Sequence, residues 1–186
     1  MRTSEFTMAM PGSPEKKRES LDAQKVLRQL AKELAPLGFR RTKPSFFTRP
    51  TELVVEFVHI HKYTFGPHFR IHFGVRVLND TTNAVGLNGP SIDGVGDANA
   101  STYKALFTYG ADAASMAASA ELMARVVREQ GEPWFASIRS TDALLNSPDR
   151  VLVPQAQDAL RQAMAGNANP VAVGTSRRQL GLPPQP

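Results

Sequence analysis

Apolar residues recur at three- and four-residue spacing through "LDAQKVLRQLAKELAPLGF". Ala23, Leu27, Leu30, Leu34 and Leu37 share one stripe, while Lys25, Arg28, Lys32 and Glu33 fall elsewhere. That period predicts one amphipathic helix. Ser13-Pro14-Glu15 supplies its start: a capping hydroxyl, a proline at the first helical position and an acid near the positive helix end. Pro36 and Gly38 stop it. The period then changes to two. Residues 45–49 predict a short strand, and residues 52–61 a longer one rich in β-branched and aromatic side chains. Residues 69–78 alternate cleanly. Phe69, Ile71, Phe73, Val75 and Val77 point one way, and Arg70, His72, Gly74 and Arg76 the other.

Between the two long strands lies "KYTFGP", whose Gly66-Pro67 marks a turn. Pairing His61 with His68 across these six residues sets His59 opposite Arg70 and Phe57 opposite His72. Val54, Val58 and Ile60 then join Phe69, Ile71 and Phe73 on one face, with Glu56 the exception. The other face collects every histidine of the chain, His59, His61, His68 and His72, together with Arg70 and Arg76. A slip of one residue would turn this polar set inward.

"NDTTNAVGLNGPSIDGVGDANAS" is a long loop rich in Gly, Asn and Asp, and "TYKALFTYG" after it predicts a further strand. Met116, Ala120, Met123 and Val127 form a helical stripe, capped by Asp112 and ended by Gly131. "EPWFASI", "TDALLN" and "VPQAQDALRQAMAG" predict short helical pieces, with Trp134 and Phe135 as core or docking anchors. "NANPVAVGTSRRQLGLPPQP" is rich in Pro and Gly and predicts an extended or disordered tail. The order gives an α+β fold. An antiparallel sheet of three to five strands is preceded by one helix and followed by two or three helices packed on one face. Residues 1–12 read as a disordered leader or cloning remnant, 13–165 as a single domain and 166–186 as the tail.

Composition narrows the chemistry. A length of 186 residues suits one domain with its own core. The absence of cysteine excludes disulfides and thiolate metal sites, and fits a reducing, cytoplasmic setting. No run approaches the roughly 20 apolar residues that span a bilayer, so no membrane partner is expected. The net charge of +5 is unevenly placed. Residues 1–50 carry eleven Lys or Arg against five Asp or Glu, and residues 51–150 carry eight against eleven. A nucleic-acid binder wants its basic residues spread over a folded face, so this local excess counts against nucleic acid as a partner.

Two imidazoles at i and i+2 of a strand point the same way, and a neighbouring strand adds a third. His59, His61 and His68, with His72 as a fourth, are therefore the candidate Zn²⁺ ligands. Arg70 among them would repel a dication, and no carboxylate stands beside them to orient an imidazole, so neither metal nor cofactor is expected. A second cluster, Arg40, Arg41, Lys43, Phe46, Phe47 and Arg49, pairs phosphate-seeking cations with stacking aromatics. The plainer reading puts one of its phenylalanines in the core and its cations on a solvated edge strand. The glycines of "GLNGPSIDGVG" lack the spacing and terminal Lys of a phosphate loop, and no Gly-x-Ser-x-Gly elbow occurs. No catalytic residue is assigned. His59, His61, Tyr63, Phe65, His68, Arg70 and His72 are the expected binding surface, with another protein as the expected partner, because aromatics and Arg anchor interfaces.

Three stretches, "LAPLGFRRTKPSFFTR", "LVVEFVHIHKYTFGPHFRIHFGVRV" and "GEPWFASIRSTDALL", resemble a bacterial family known as domain of unknown function 4304. The likeness spans residues 21–147. That family shows a leading helix ending in Leu-Gly-Phe, a basic residue and an aromatic before the first long strand, and a Pro-Trp-Phe-like element near the end. It usually has glutamine or asparagine where this chain has His59 and His61, which speaks against a family-wide histidine metal site. It has no established activity, so the resemblance implies no catalytic residues. The functional expectation is a non-enzymatic protein-binding module, an immunity-type inhibitor being one form of it. The alternative is a metal-dependent or nucleic-acid-acting protein working through the histidine face.

Overall fold

The computed structural model describes residues 10–64, 66–93 and 108–184. Helix α1, Pro14–Leu34, begins where the Ser13 hydroxyl accepts a hydrogen bond from the Lys16 amide at 3.1 Å. It closes through a 3-10 turn, Ala35–Leu37, into Gly38. Five strands follow: β1 Arg40–Lys43, β2 Phe46–Pro50, β3 Val54–Lys62, β4 Phe69–Val77 and β5 Ser91–Asp93. They form one antiparallel sheet in the order β1-β2-β3-β4-β5. Helix α2, Ala113–Val126, continues through a π turn, Val127–Gly131, into α3, Glu132–Ser137. Then come α4 Thr141–Leu145, α5 Pro154–Met164 and α6 Pro170–Leu180. The fold class is α+β.

One face of the sheet builds the main core. Phe47, Val58, Ile60, Phe69, Ile71, Phe73 and Ile92 meet Ala23, Val26, Leu27, Leu30 and Leu34 of α1 and Met116, Ala120 and Met123 of α2. All are buried, and removing each large side chain from water is worth roughly 1.5–3 kcal/mol. Further along the same face, Val75 and Val77 pack with Leu144, Ala156 and Leu160 of α4 and α5. Glu56, the polar exception on this face, is 6% exposed, and the Arg49 guanidinium stands 2.6 Å from its carboxylate. Gly131 does not end a helix as the sequence suggested. It lies where the chain crosses the Phe73 ring, and a Cβ there would stand 2.7 Å from that ring. A glycine is needed for that close approach.

The hairpin register differs from the sequence expectation by two residues. His61 pairs with Arg70, not His68; His59 pairs with His72, not Arg70; Phe57 pairs with Gly74, not His72. Strand β3 runs on to Lys62, which pairs with Phe69, and the Tyr63 amide bonds the His68 carbonyl to close the turn. A shift of two preserves side-chain parity, so the face assignments survive while every cross-strand partner changes.

The expected extended tail is instead α6. Asn169 caps it, Pro170 opens it and Gly181 closes it. Val173 and Leu180 pack on Val55, Phe57 and Leu78, on the face opposite α1. The described helices therefore lie on both faces of the sheet, α1 to α5 on the first and α6 on the second. Composition hid this helix: its apolar positions are few because it covers only a small patch. Arg76, expected on a polar face, is 3% exposed at the base of α6. It pairs with Asp80 at 2.9 Å and donates to the carbonyls of Asp80, Thr82 and Ala84 and to the Ser176 hydroxyl. A buried guanidinium is tolerable only with such full pairing. The long loop also supplies structure. Phe73 exchanges backbone hydrogen bonds with Gly89 and Pro90, and β5 extends that edge. Of the strand expected at 102–110, residues 102–107 lie outside the described residues, and Thr108 forms a bridge with His68.

Candidate functional site

The second face of the sheet is divided. Helix α6 covers the end carrying Val55 and Phe57. At the other end, register sets Phe46, His59 and His72 in one row across β2, β3 and β4, with His61 and Arg70 in the next. The Phe46 ring lies 4.5 Å from His59, and His59 lies 5.8 Å from His72 at an interplanar angle of 29°. His61 stands 6.5 Å from His59 and meets Tyr63 edge-on at 5.3 Å. The Arg70 guanidinium sits 5.4 Å from the Tyr63 ring centre, a cation–π distance. The strands hold these rings in a fixed spacing.

His59 is strongly perturbed. Burial pushes its imidazole down to about 4, and any positive charge on His72 and His61 pushes the same way. It is a neutral ring at pH 7. Among the described residues its buried Nδ1 meets no hydrogen-bond partner. A buried ring nitrogen left alone is costly, and a water, an ion or another molecule supplies its partner.

The structure brings together His59, His61, Tyr63, Arg70 and His72. It does not bring His68 into the group. The His68 Nδ1 lies 3.1 Å from the Thr108 hydroxyl, at the strand end beyond the turn. Phe65 lies outside the described residues. The His59–His61–His68 combination weighed as a zinc site is therefore not assembled, because strand β4 begins one residue past His68. Among the described residues no group of three His, Asp or Glu side chains is placed to hold a metal ion.

The basic–aromatic cluster is taken apart by the fold. Phe47 enters the core, Phe46 packs on Phe57 and His59, and Arg41 bonds the Pro44 carbonyl and Gln24. Arg49 lies over Phe39 at 4.4 Å and between Glu56 and Glu132. Alternation along β2 is the cause, since neighbours in sequence point to opposite faces. Phe46 is the member of the ring row that sequence reading assigned elsewhere. The signal that would have found it is the β2–β3 register, which no local pattern fixes.

The row offers aromatic faces, two or three imidazole nitrogens and one guanidinium on a rigid sheet. That suits recognition by stacking and hydrogen bonding. No family model matches the chain, and no curated protein or solved structure matches it.

Proposed function

We propose that this chain is a non-enzymatic protein-binding module, and that it docks its partner on the open end of the second sheet face. The observation that carries the reading is the row itself. Phe46, His59, His72, His61 and Tyr63 stand ring beside ring, with Arg70 over Tyr63, next to the patch that α6 already covers. Aromatics and Arg on a preorganised surface lose little side-chain entropy on binding, which is why such residues anchor interfaces. The unpartnered Nδ1 of His59 fits a surface completed by another molecule. An immunity-type inhibitor that covers part of a toxin is one concrete form, offered by analogy with small domains of this size.

A second reading, metal binding at the same face, is favoured by one observation. The register sets His72 rather than Arg70 across from His59, so the cation stands one pair further from that imidazole than the sequence implied. Among the described residues no third ligand stands with those two imidazoles, which opposes it.

The test is affinity capture from the cells that make the chain, with H61A/Y63A/R70A alongside. A single protein recovered in stoichiometric amount by the wild type and lost from the variant is the expected result. Equal recovery from both, or recovery of nucleic acid alone, overturns the reading.

A further inference from the structure

We infer that the outer ridge of α1 is a second docking surface, built for an acidic protein surface with an apolar side chain at its centre. At 3.6 residues per turn, Lys17, Leu21, Lys25, Arg28 and Lys32 fall within an arc of about 80°. The row is about 22 Å long at 1.5 Å per residue. All five residues are exposed. They lie directly opposite Val26, Leu30 and Leu34, which fix the inward face of the helix. A solvated helix face normally mixes charge signs. This one does not: the acids of α1 are drawn off it. Glu19 is held by Lys16 and Lys62, and Asp22 is buried beside Lys25, 2.7 Å from its ammonium. Lys17, Arg18, Arg28 and Lys32 make no ion pair with any described residue. Arg41 of β1 extends the positive field toward the sheet; it lies close enough to Arg28 to feel its charge.

Two observations choose a protein over a nucleic acid. Leu21, 64% exposed, stands inside the row beside a shallow depression lined by Gly12, Lys16, Lys17, Ser20 and Gln24. An apolar anchor ringed by cations matches a side chain flanked by carboxylates, and a phosphate backbone has nothing to place there. The phenylalanines that would stack bases beside these cations are withdrawn, Phe39 and Phe47 into the core and Phe46 onto the other sheet face.

The inference rests on the reading of the chain as a binding module but concerns a separate surface. Helix α1 packs on one sheet face and the histidine row lies on the other. The probe is a labelled peptide of about twenty residues, Glu and Ser with one central Leu, long enough to lie along the row. Titration by fluorescence anisotropy compares the wild type with K17E/R28E/K32E and with R128E/R139E/R161E, which changes net charge equally but away from the ridge. The expected result is binding that weakens with added salt, falls at least about tenfold in the ridge variant and changes less than about twofold in the control. Leu21→Ala, which alters no charge, is expected to weaken binding about threefold. H61A/Y63A/R70A is expected to leave this titration unchanged, so failure at the histidine row and failure here are read separately. Absence of binding, equal loss in both charge variants, or displacement of the peptide by a DNA duplex at equal phosphate and carboxylate concentration would overturn the inference.

Discussion

The two faces of the sheet come from the same strands, residue by alternate residue, and meet different fates. The first is apolar from Phe47 through Phe73 to Val77, with Glu56 and Arg49 the exceptions, and is largely buried under α1 to α5. The second is split between a patch sealed by α6 and a row of rings with one orphaned nitrogen. Even the way each face accommodates its aromatics differs. Phe73 packs on Trp134 and Phe135 from the helices, whereas the Phe57 ring lies across Gly74 of the neighbouring strand, where a Cβ would stand 2.2 Å from it. The first face is spent on folding. The second leaves the ring row outside the patch that α6 covers.

The contrast breaks most visibly at Phe73. Phe73→Ala is expected to cost about 3–5 kcal/mol in urea titration, while Phe46→Ala, partly exposed in the ring row, is expected to cost about 1–2 kcal/mol. Equal costs would mean that the second face carries the fold as well. Next comes the sealed patch. Leu180 is fully buried against Val55, Phe57 and Leu78, and Leu180→Ala is expected to cost about 2–4 kcal/mol. A loss below about 0.5 kcal/mol would show that α6 docks without contributing to stability.

His59 sharpens the comparison in the opposite direction. Burial pushes its imidazole down to about 4 in the folded chain, from 6.5 for the free group. As pH falls from 6.5 toward 4 the unfolded chain takes up a proton that the folded chain refuses, so stability falls across that window and levels off below it. The ring is only about half buried, so the loss is on the order of 1 kcal/mol rather than the full shift. His59→Phe is expected to flatten this slope and to match or exceed wild-type stability by up to about 1 kcal/mol, because it removes a desolvated, unpaired nitrogen. Equilibrium unfolding at pH 7 and pH 4.5 reads both effects, and an unchanged slope in the variant would assign the proton uptake elsewhere. The smallest effect belongs to metal. Calorimetric titration of metal-free protein with Zn²⁺ is expected to show no one-to-one binding at micromolar affinity, and binding abolished by H59A/H61A would promote the metal reading instead.

The first face was legible in the sequence because it depends only on parity. Period-two alternation in β4 and period 3.6 in α1 each need no partner to be seen, and a two-residue slip in register leaves both intact. The second face was less legible for the same reason. Which ring meets which depends on where β3 ends, and nothing local to "KYTFGP" distinguishes a strand ending at His61 from one ending at Lys62. Phe46 reaches His59 only through a pairing between strands. Helix α6 left a signal that composition masked: Asn169-Pro170 at its start and Gly181 at its end are a cap, a first-turn proline and a terminator in the expected places. Strand β5 left almost none, since Ile92 alone faces the core amid glycine, proline and asparagine.

On the function proposed above, the ring row of the second face binds a partner that the fold does not require. The direct measurement is the affinity of the captured protein for wild type and for H61A/Y63A/R70A, taken with the unfolding midpoint of each. The expected result is at least about a tenfold loss of affinity, worth about 1.4 kcal/mol, with the midpoint unmoved. Unchanged affinity in a folded variant would contradict it.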